Sequence, residues 1–420
     1  MIKKILSHSF WLLVGNSIGR LSMFLTNIMT ARILSQETFG EFSMIRNTIS
    51  MIEGIVSGTF GSPTVKRVAE ISNNNKKTLT TVIKSIFILN LFISIILASL
   101  ILILSPYIVK TFFIGQEGMI QGLYIGSVIL VTTTLSGFIQ NIFIGLEEYN
   151  KLAKSSIYAS LVSFPLILIL INYFGLYGAL WGVALYFFLD FLIKYLQLKR
   201  IGIFSNNRID FSFVLQESKK LLLFSYPLLA SIILTSISFW YAKVMIAESD
   251  GFSSIAIFDA AFQWLTIIMI ITGATTSVIL PMFSKSILKG KEIEFNKILL
   301  VNLLVNFSIT AVFATIFILF SKDIMSLYGK NYIDGFQVLN ILSIASIFFS
   351  LSSIMNKVFI SKSKIKEILF ITLMSSIFMF LFLKFGIFNG FIGLAYSFLL
   401  FYISTFTLYI LRHILEGKLK

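Results

Sequence analysis

About twelve long apolar segments, separated by breaks that gather Lys and Arg at every second position, constrain this chain more than any other feature. A helix needs about 20 apolar residues to cross a hydrocarbon core of ~30 Å. The segments read as 10–33, 40–62, 82–104, 119–145, 153–172, 176–197, 221–247, 254–280, 298–320, 335–358, 366–385 and 388–411. One set of breaks holds Lys3 and Lys4; Lys66, Arg67, Lys76, Lys77 and Lys84; Lys151 and Lys154; Lys199, Arg200, Arg208, Lys219 and Lys220; Lys285, Lys289, Lys291 and Lys297; Lys362, Lys364 and Lys366; and Arg412, Lys418 and Lys420. The other set holds only Lys110, Lys322, Lys330 and Lys384. Because positive residues near span ends stay on the cytoplasmic side, both termini and the central linker are expected to be cytoplasmic. An even number of spans agrees with that.

The composition points the same way. With 57% hydrophobic and 13% charged residues, the 420-residue chain has too little polar surface for a soluble protein. Its net charge of +15 is therefore topological. The basic residues are spread over many short loops, with no basic helix or zinc-finger spacing, so they face anionic lipid headgroups rather than nucleic acid. The absence of cysteine excludes disulfides, thiolate metal sites and cysteine nucleophiles. His8 and His413 sit at opposite ends of the chain and offer no histidine metal site. No cofactor is implied. The opening MIKKILSHSFWLLVG has the basic and apolar parts of a signal peptide, but no small-residue cleavage site follows and the segment continues through Asn16 and Arg20. It reads as the first span.

The chain also repeats itself at about half its length. The sixth span opens FGLYGALWGVA from Phe174 and the twelfth opens FGIFNGFIGLA from Phe385, which pairs Gly175 with Gly386, Gly182 with Gly393 and Ala184 with Ala395. The second span ends GSPTVKR at Pro63 and the eighth ILPMFSK at Pro281. Six spans per half give both halves the same orientation, so the expected fold is an all-α membrane protein of two six-helix lobes related by a pseudo-two-fold axis along the membrane normal. The lobes are 1–198 and 221–420, joined by a polar, basic cytoplasmic linker at 199–220. The longest outer breaks, 104–119 and 321–334, are too short for an extracytoplasmic domain.

Ionisable side chains at bilayer depth cost about 2.5–3.5 kcal/mol on insertion scales, so they mark bundle interiors or wet cavities. In the first span Asn16, Arg20 and Asn27 fall within about 40° of one direction on a helix, a polar stripe. In the second, Arg46, Ser50, Glu53 and Ser57 form another, flanked by Gly54 and Gly58, which permit close approach of a neighbouring backbone. The eighth span carries Asp259, Gln263 and Thr266. Polar stripes thus occupy equivalent helices of both halves and predict a cavity between the lobes. Arg20, Arg32, Arg46 and Lys243 against Glu53 and Asp259 leave it net positive by two, which favours an anionic substrate. Arginine suits phosphate because its planar fork binds bidentately and stays ionised when desolvated. The blander readings are that Arg32 and Lys243 snorkel at the outer ends of their spans, that Arg46 and Glu53 form a structural ion pair, and that Gln140, Asn141 and Asn340 are interhelical hydrogen-bond partners.

The length, the six-plus-six repeat, the proline-then-basic exits, the basic linker, SYPLL from Ser225 and IAIFDAAFQW from Ile255 together resemble polysaccharide-type flippases of the MOP exporter superfamily, with O-antigen translocases of the Wzx type nearest. The resemblance covers essentially the whole chain. It implies a MATE-like fold and translocation of an undecaprenyl-diphosphate-linked oligosaccharide to the outer leaflet of the bacterial cytoplasmic membrane by alternating access. Lipid II flippases of that superfamily carry two further spans. On this reading Arg20 and Arg46, with Asn16, Asn27, Lys243 and Gln263, hold the substrate, and Glu53 or Asp259 binds a coupling proton or Na⁺. The glycan lipid, membrane lipids and other polysaccharide-assembly membrane proteins are the implied partners. Two other readings compete: a MATE-like drug or cation antiporter, which should want an acidic cavity, and a membrane-embedded polymerase or ligase, which should need a substantial outer loop.

Overall fold

The computed structural model describes residues 21–72, 76–113, 115–200, 211–288, 292–385 and 390–418. Hydrocarbon offers no partner to a bare N–H or C=O, so a chain this apolar must satisfy its backbone internally. The described residues accordingly form helices, with no strand among them. They are α1 (21–33), α2 (Gln36–Ser72), α3 (Lys76–Phe112), α4 (Gly118–Gly145), α5 (Tyr149–Arg200), α6 (Phe211–Asp250), α7 (Phe252–Leu288), α8 (Glu292–Leu319), the short α9 (Ser321–Ser326), α10 (Phe336–Ser361), α11 (Ile365–Phe385) and α12 (Gly390–Lys418). A 3₁₀ turn, Lys330–Gly335, leads into α10.

Nine helices among the described residues are long and apolar enough to cross a membrane. That number includes α5 once, although Gly175 adopts φ 53° and ψ −126° and folds this 52-residue helix into two spans. Glycine pays no steric cost for a positive φ, and the sequence break between 172 and 176 falls at this kink. The count omits α1, described only from residue 21, and α2, which carries Glu37, Glu41, Arg46 and Glu53. With these added and α5 taken as two, the chain has the expected dozen or so spans. Helix ends differ from span ends where a helix leaves the apolar layer: α2 continues past Pro63 to Ser72, and α7 past Pro281 to Leu288.

The chain divides into two compact units, Met1–Ser236 and Ile237–Lys420. Each is built around one central helix. In the first unit α4 packs against α2, α3 and α5; in the second α10 packs against α7, α8 and α12. In the half-chain repeat α10 is the counterpart of α4, and α7, α8 and α12 are those of α2, α3 and the second half of α5, so the same packing plan is built twice. Buried residues make up 78% of the most apolar stretch of α4 and 67% of that of α10, but only 28% for α3 and 22% for α8. The outer helices turn Phe92, Ile103, Leu300 and Leu304 outward, where lipid tails replace a protein neighbour.

Small residues let α4 sit close against α2. A Cβ at Gly126 of α4 would lie 2.8 Å from Ile49 Cδ1 of α2, and one at Gly145 would lie 2.8 Å from Val68 Cβ. The two halves of α5 meet as closely, with Gly178 against the Leu170 carbonyl and Gly182 against Ile167. Backbone cannot step aside as a side chain can, so Gly178→Ala is expected to destabilise the protein by about 1–3 kcal/mol. Gly273→Ala, where an added Cβ would meet nothing within 4 Å, should be neutral or stabilising. Thermal melting of detergent-purified protein, followed by size-exclusion chromatography, checks both.

Candidate functional site

The α1–α2 hairpin brings together two residues of the expected polar stripes. Arg46 Nη1 donates to Asn27 Oδ1 at 2.7 Å, and its guanidinium lies 5.5 Å from the Phe42 ring centroid. Arg46 is half-buried. Asn16 and Arg20 lie outside the described residues. Arg32, near the α1–α2 turn, is exposed, as a snorkelling side chain would be.

The α6–α7 hairpin repeats the arrangement with a full ion pair. Lys243 Nζ lies 2.6 Å from Asp259 Oδ1, with side chains 6% and 14% exposed. The rings of Phe258 and Phe262 stand 5.4 and 5.2 Å from the ammonium. Lys243 therefore does not snorkel: a carboxylate and two aromatic faces supply the stabilisation that headgroups and water would otherwise give. The sequence reading places Lys243 with the anionic substrate and Asp259 with the coupling ion. The structure joins them, so neither can change charge without the other feeling it. One turn beyond Asp259, Gln263 Oε1 accepts a hydrogen bond of 2.9 Å from the Tyr328 hydroxyl, in the short segment between α9 and the 3₁₀ turn.

A second buried ion pair escaped the sequence reading. On the second half of α5, Asp190 and Lys194 pair with side chains 5% and 1% exposed. Lys194 Nζ also donates to Ser136 Oγ at 3.1 Å and to Gln140 Oε1 at 3.4 Å on α4. Ser136 Oγ donates onward to Asp190 Oδ2, and Ser156 Oγ to Asp190 Oδ1 at 3.5 Å. The signal was an acid four residues before a base inside an apolar span, a spacing that lets one helix neutralise its own charges. Gln140 acts here as the interhelical partner it was expected to be. In the register that matches Phe174 with Phe385, the second half of the chain has Phe401 and Thr405 at these two positions.

Glu53 lies elsewhere in the first unit. It is half-buried in a small cleft between α2, α3 and α4, together with Ser57, Asn90, Thr133, Thr134 and Asn141. No group of three or more His, Cys, Asp or Glu side chains able to hold a metal ion occurs among the described residues.

These features define a class: a multi-pass helical membrane protein of two similarly built units, with ionisable side chains held within its apolar helices. Its fold is that of MATE transporters. An inward-facing multidrug-resistance MATE transporter of the MOP superfamily aligns with a TM-score of 0.72 at 15% identity over 95% of this chain and 96% of that one. The Vibrio cholerae MATE transporter VcmN gives 0.70 at 14% identity over 97% and 95%. A Pyrococcus furiosus MOP superfamily transporter gives 0.68 at 16% identity over 97% and 93%. The family model described as polysaccharide biosynthesis protein matches residues 5–287, and the chain belongs to that family. No curated relative matches it.

The Asp190–Lys194 pair gives a direct test of the packing. Lys194→Met strands a buried carboxylate and is expected to cost about 3–5 kcal/mol, whereas Lys194→Met combined with Asp190→Leu should recover most of that loss. A double-mutant cycle read by thermal denaturation measures the difference.

Proposed function

We propose that this chain is a flippase that carries an undecaprenyl-diphosphate-linked oligosaccharide, an O-antigen or capsule repeat unit, from the cytoplasmic to the outer leaflet of the bacterial inner membrane by alternating access. Family membership supplies the connection to polysaccharide biosynthesis, and the fold supplies a transporter. The observation that carries the reading is Arg46. It is an arginine at membrane depth, positioned by the neutral amide of Asn27, and its fork matches the oxygens of a diphosphate. The pairing of Lys243 with Asp259 cancels one charge of each sign and so leaves the net positive balance unchanged.

The Pyrococcus furiosus transporter of the same fold is described as having a binding pocket of reverse polarity that suggests a different function. Charge sign within one fold is thus a reasonable guide to substrate class. In this reading Arg20 and Arg46 hold the diphosphate, and Asn16, Asn27, Lys243 and Gln263 are further substrate-binding residues. Glu53 or Asp259 binds the proton or Na⁺ that drives the return step. The lobes are 1–198 and 221–420, with 199–220 and both termini cytoplasmic.

Proteoliposomes carrying a polyprenyl-diphosphate oligosaccharide test the reading through accessibility of the glycan to a lectin on the opposite face. Wild-type protein is expected to translocate, and Arg46→Ala to slow translocation at least about tenfold while inserting normally. Equal rates overturn the role of Arg46. Absent glycan translocation combined with ion-driven uptake of organic cations would establish the antiporter reading that the MATE fold also allows.

Topology has its own check, free of background because the chain contains no cysteine. Single cysteines at Lys154 and Lys364 should react only with cytoplasmic reagent, and those at Lys110 and Lys384 only with external reagent.

A further inference from the structure

At one end of the second unit, α11 and α12 bring two cations to the top of a lipid-facing surface. Lys366 lies in the first turn of α11, exposed, and makes no hydrogen bond or ion pair among the described residues. One turn further along α11, the Phe370 ring is 41% exposed. Arg412 of α12 lies over that ring, its guanidinium carbon 5.1 Å from the centroid, and its Nε is 3.3 Å from Glu367 Oε2. Ring and carboxylate hold the guanidinium in place, while its two Nη groups make no hydrogen bond to a described residue. Beyond Phe370, Leu373, Ile377 and Leu381 continue the same face of α11 and are equally exposed. From Phe370 to Leu381 the helix rises about 16 Å, close to the depth of one leaflet in a hydrocarbon core of ~30 Å. The surface thus offers charge and then apolar length, in the order in which a phospholipid presents them.

Helix stability does not account for these cations. A positive charge in the first turn opposes the dipole of α11, and Arg412 stands more than a turn before the end of α12 at Lys418. Nor does the connecting turn require bases. The α4–α5 turn of the first unit has the same backbone: Glu148 N–H donates to the Phe143 carbonyl at 2.9 Å as Lys364 N–H does to the Phe359 carbonyl at 2.9 Å, and φ is 59° at Glu147 and 58° at Ser363. There the turn carries two carboxylates, Glu147 and Glu148. Around the α11–α12 surface Glu367 offsets one positive charge, and Lys362 and Lys364 add two, with Lys362 Nζ 3.3 Å from His413 Nδ1 and 5.6 Å from the Phe295 ring centroid. We propose that Lys366 and Arg412 bind the phosphate of an anionic phospholipid, whose acyl chain lies along Phe370, Leu373, Ile377 and Leu381. The open Nη edge of Arg412 suits two phosphate oxygens, and Lys366 repels the ammonium group that a zwitterionic lipid would bring with its phosphate. The site needs only that α11 and α12 cross a bilayer and does not depend on what the protein transports.

Native mass spectrometry of the purified full-length chain, in micelles holding equal amounts of phosphatidylglycerol and phosphatidylcholine with the same acyl chains, reads the bound lipid directly. Wild-type protein is expected to retain phosphatidylglycerol in preference, less strongly as salt is raised. Arg412→Gln and Lys366→Gln should each lower that preference about fivefold. Arg412→Lys should keep part of it, since the charge remains while the planar fork is lost. Lys154→Gln, at an exposed base of the first unit, should leave it within about twofold. Excess inorganic phosphate should not displace the lipid, because it has no acyl chain to lay along α11. Variants are compared at matched size-exclusion profiles, so that lost folding is not read as lost binding. The proposal is overturned if wild-type protein shows no preference, or if Lys154→Gln lowers it as much as Arg412→Gln, which would mean general attraction to a basic protein. It is also overturned if inorganic phosphate releases the lipid, or if an equal amount of polyprenyl diphosphate takes its place, which would make this a site for the transported lipid.

Discussion

A charge surrounded by hydrocarbon is tolerable only when something close by answers it, and much of this molecule is arranged around that requirement. The answers differ from site to site. Lys194 is answered by a carboxylate one turn away on its own helix and by hydroxyls across a helix interface. Lys243 is answered by Asp259 and by two ring faces. Arg46 donates to the Asn27 amide oxygen and lies against the Phe42 ring. Carboxylates, hydroxyls, amides and ring faces all serve, so the requirement fixes that a partner is near rather than which kind it is.

The two units show how far a packing plan can be kept while its contents change. A central helix surrounded by three others recurs in each, and in the first unit glycines of α4 accept branched side chains of α2. Shape alone maintains that plan. Polar content is free to diverge: the Asp190–Lys194 pair of the first unit has Phe401 and Thr405 in its place in the second, where Phe401 meets Phe239 edge-to-face with centroids 4.8 Å apart and Thr405 Oγ1 donates to Ser375 Oγ at 2.9 Å. An ion pair and an aromatic contact fill the same kind of space.

The helices were legible in the sequence because hydrocarbon selects them by length and apolarity, a local property. The kink at Gly175 was legible as a break in the apolar run, with a glycine to take the positive φ. Arg46, Glu53, Lys243 and Asp259 were singled out for their depth, also a local property. Their partners were not legible. Lys243 and Asp259 are 16 positions apart on different helices, and helix rotation decides whether they meet. Asp190 and Lys194 were missed for a different reason: attention went to stripes running along a helix face, and their four-residue spacing carried the signal on its own.

The position of the central helices also has a consequence for how the protein is made. A translating ribosome delivers helices in chain order, yet α4 is largely buried and receives one of its three neighbours, the second half of α5, only after another span has been inserted. The second unit sets the same delay, since α10 must wait through α11 for α12. During each interval a central helix, rich in Ser, Thr and Gly in α4 and in Ser in α10, lies beside lipid or the insertion machinery without the neighbour that will enclose it, so assembly of each unit is completed by its last helix, late and all at once.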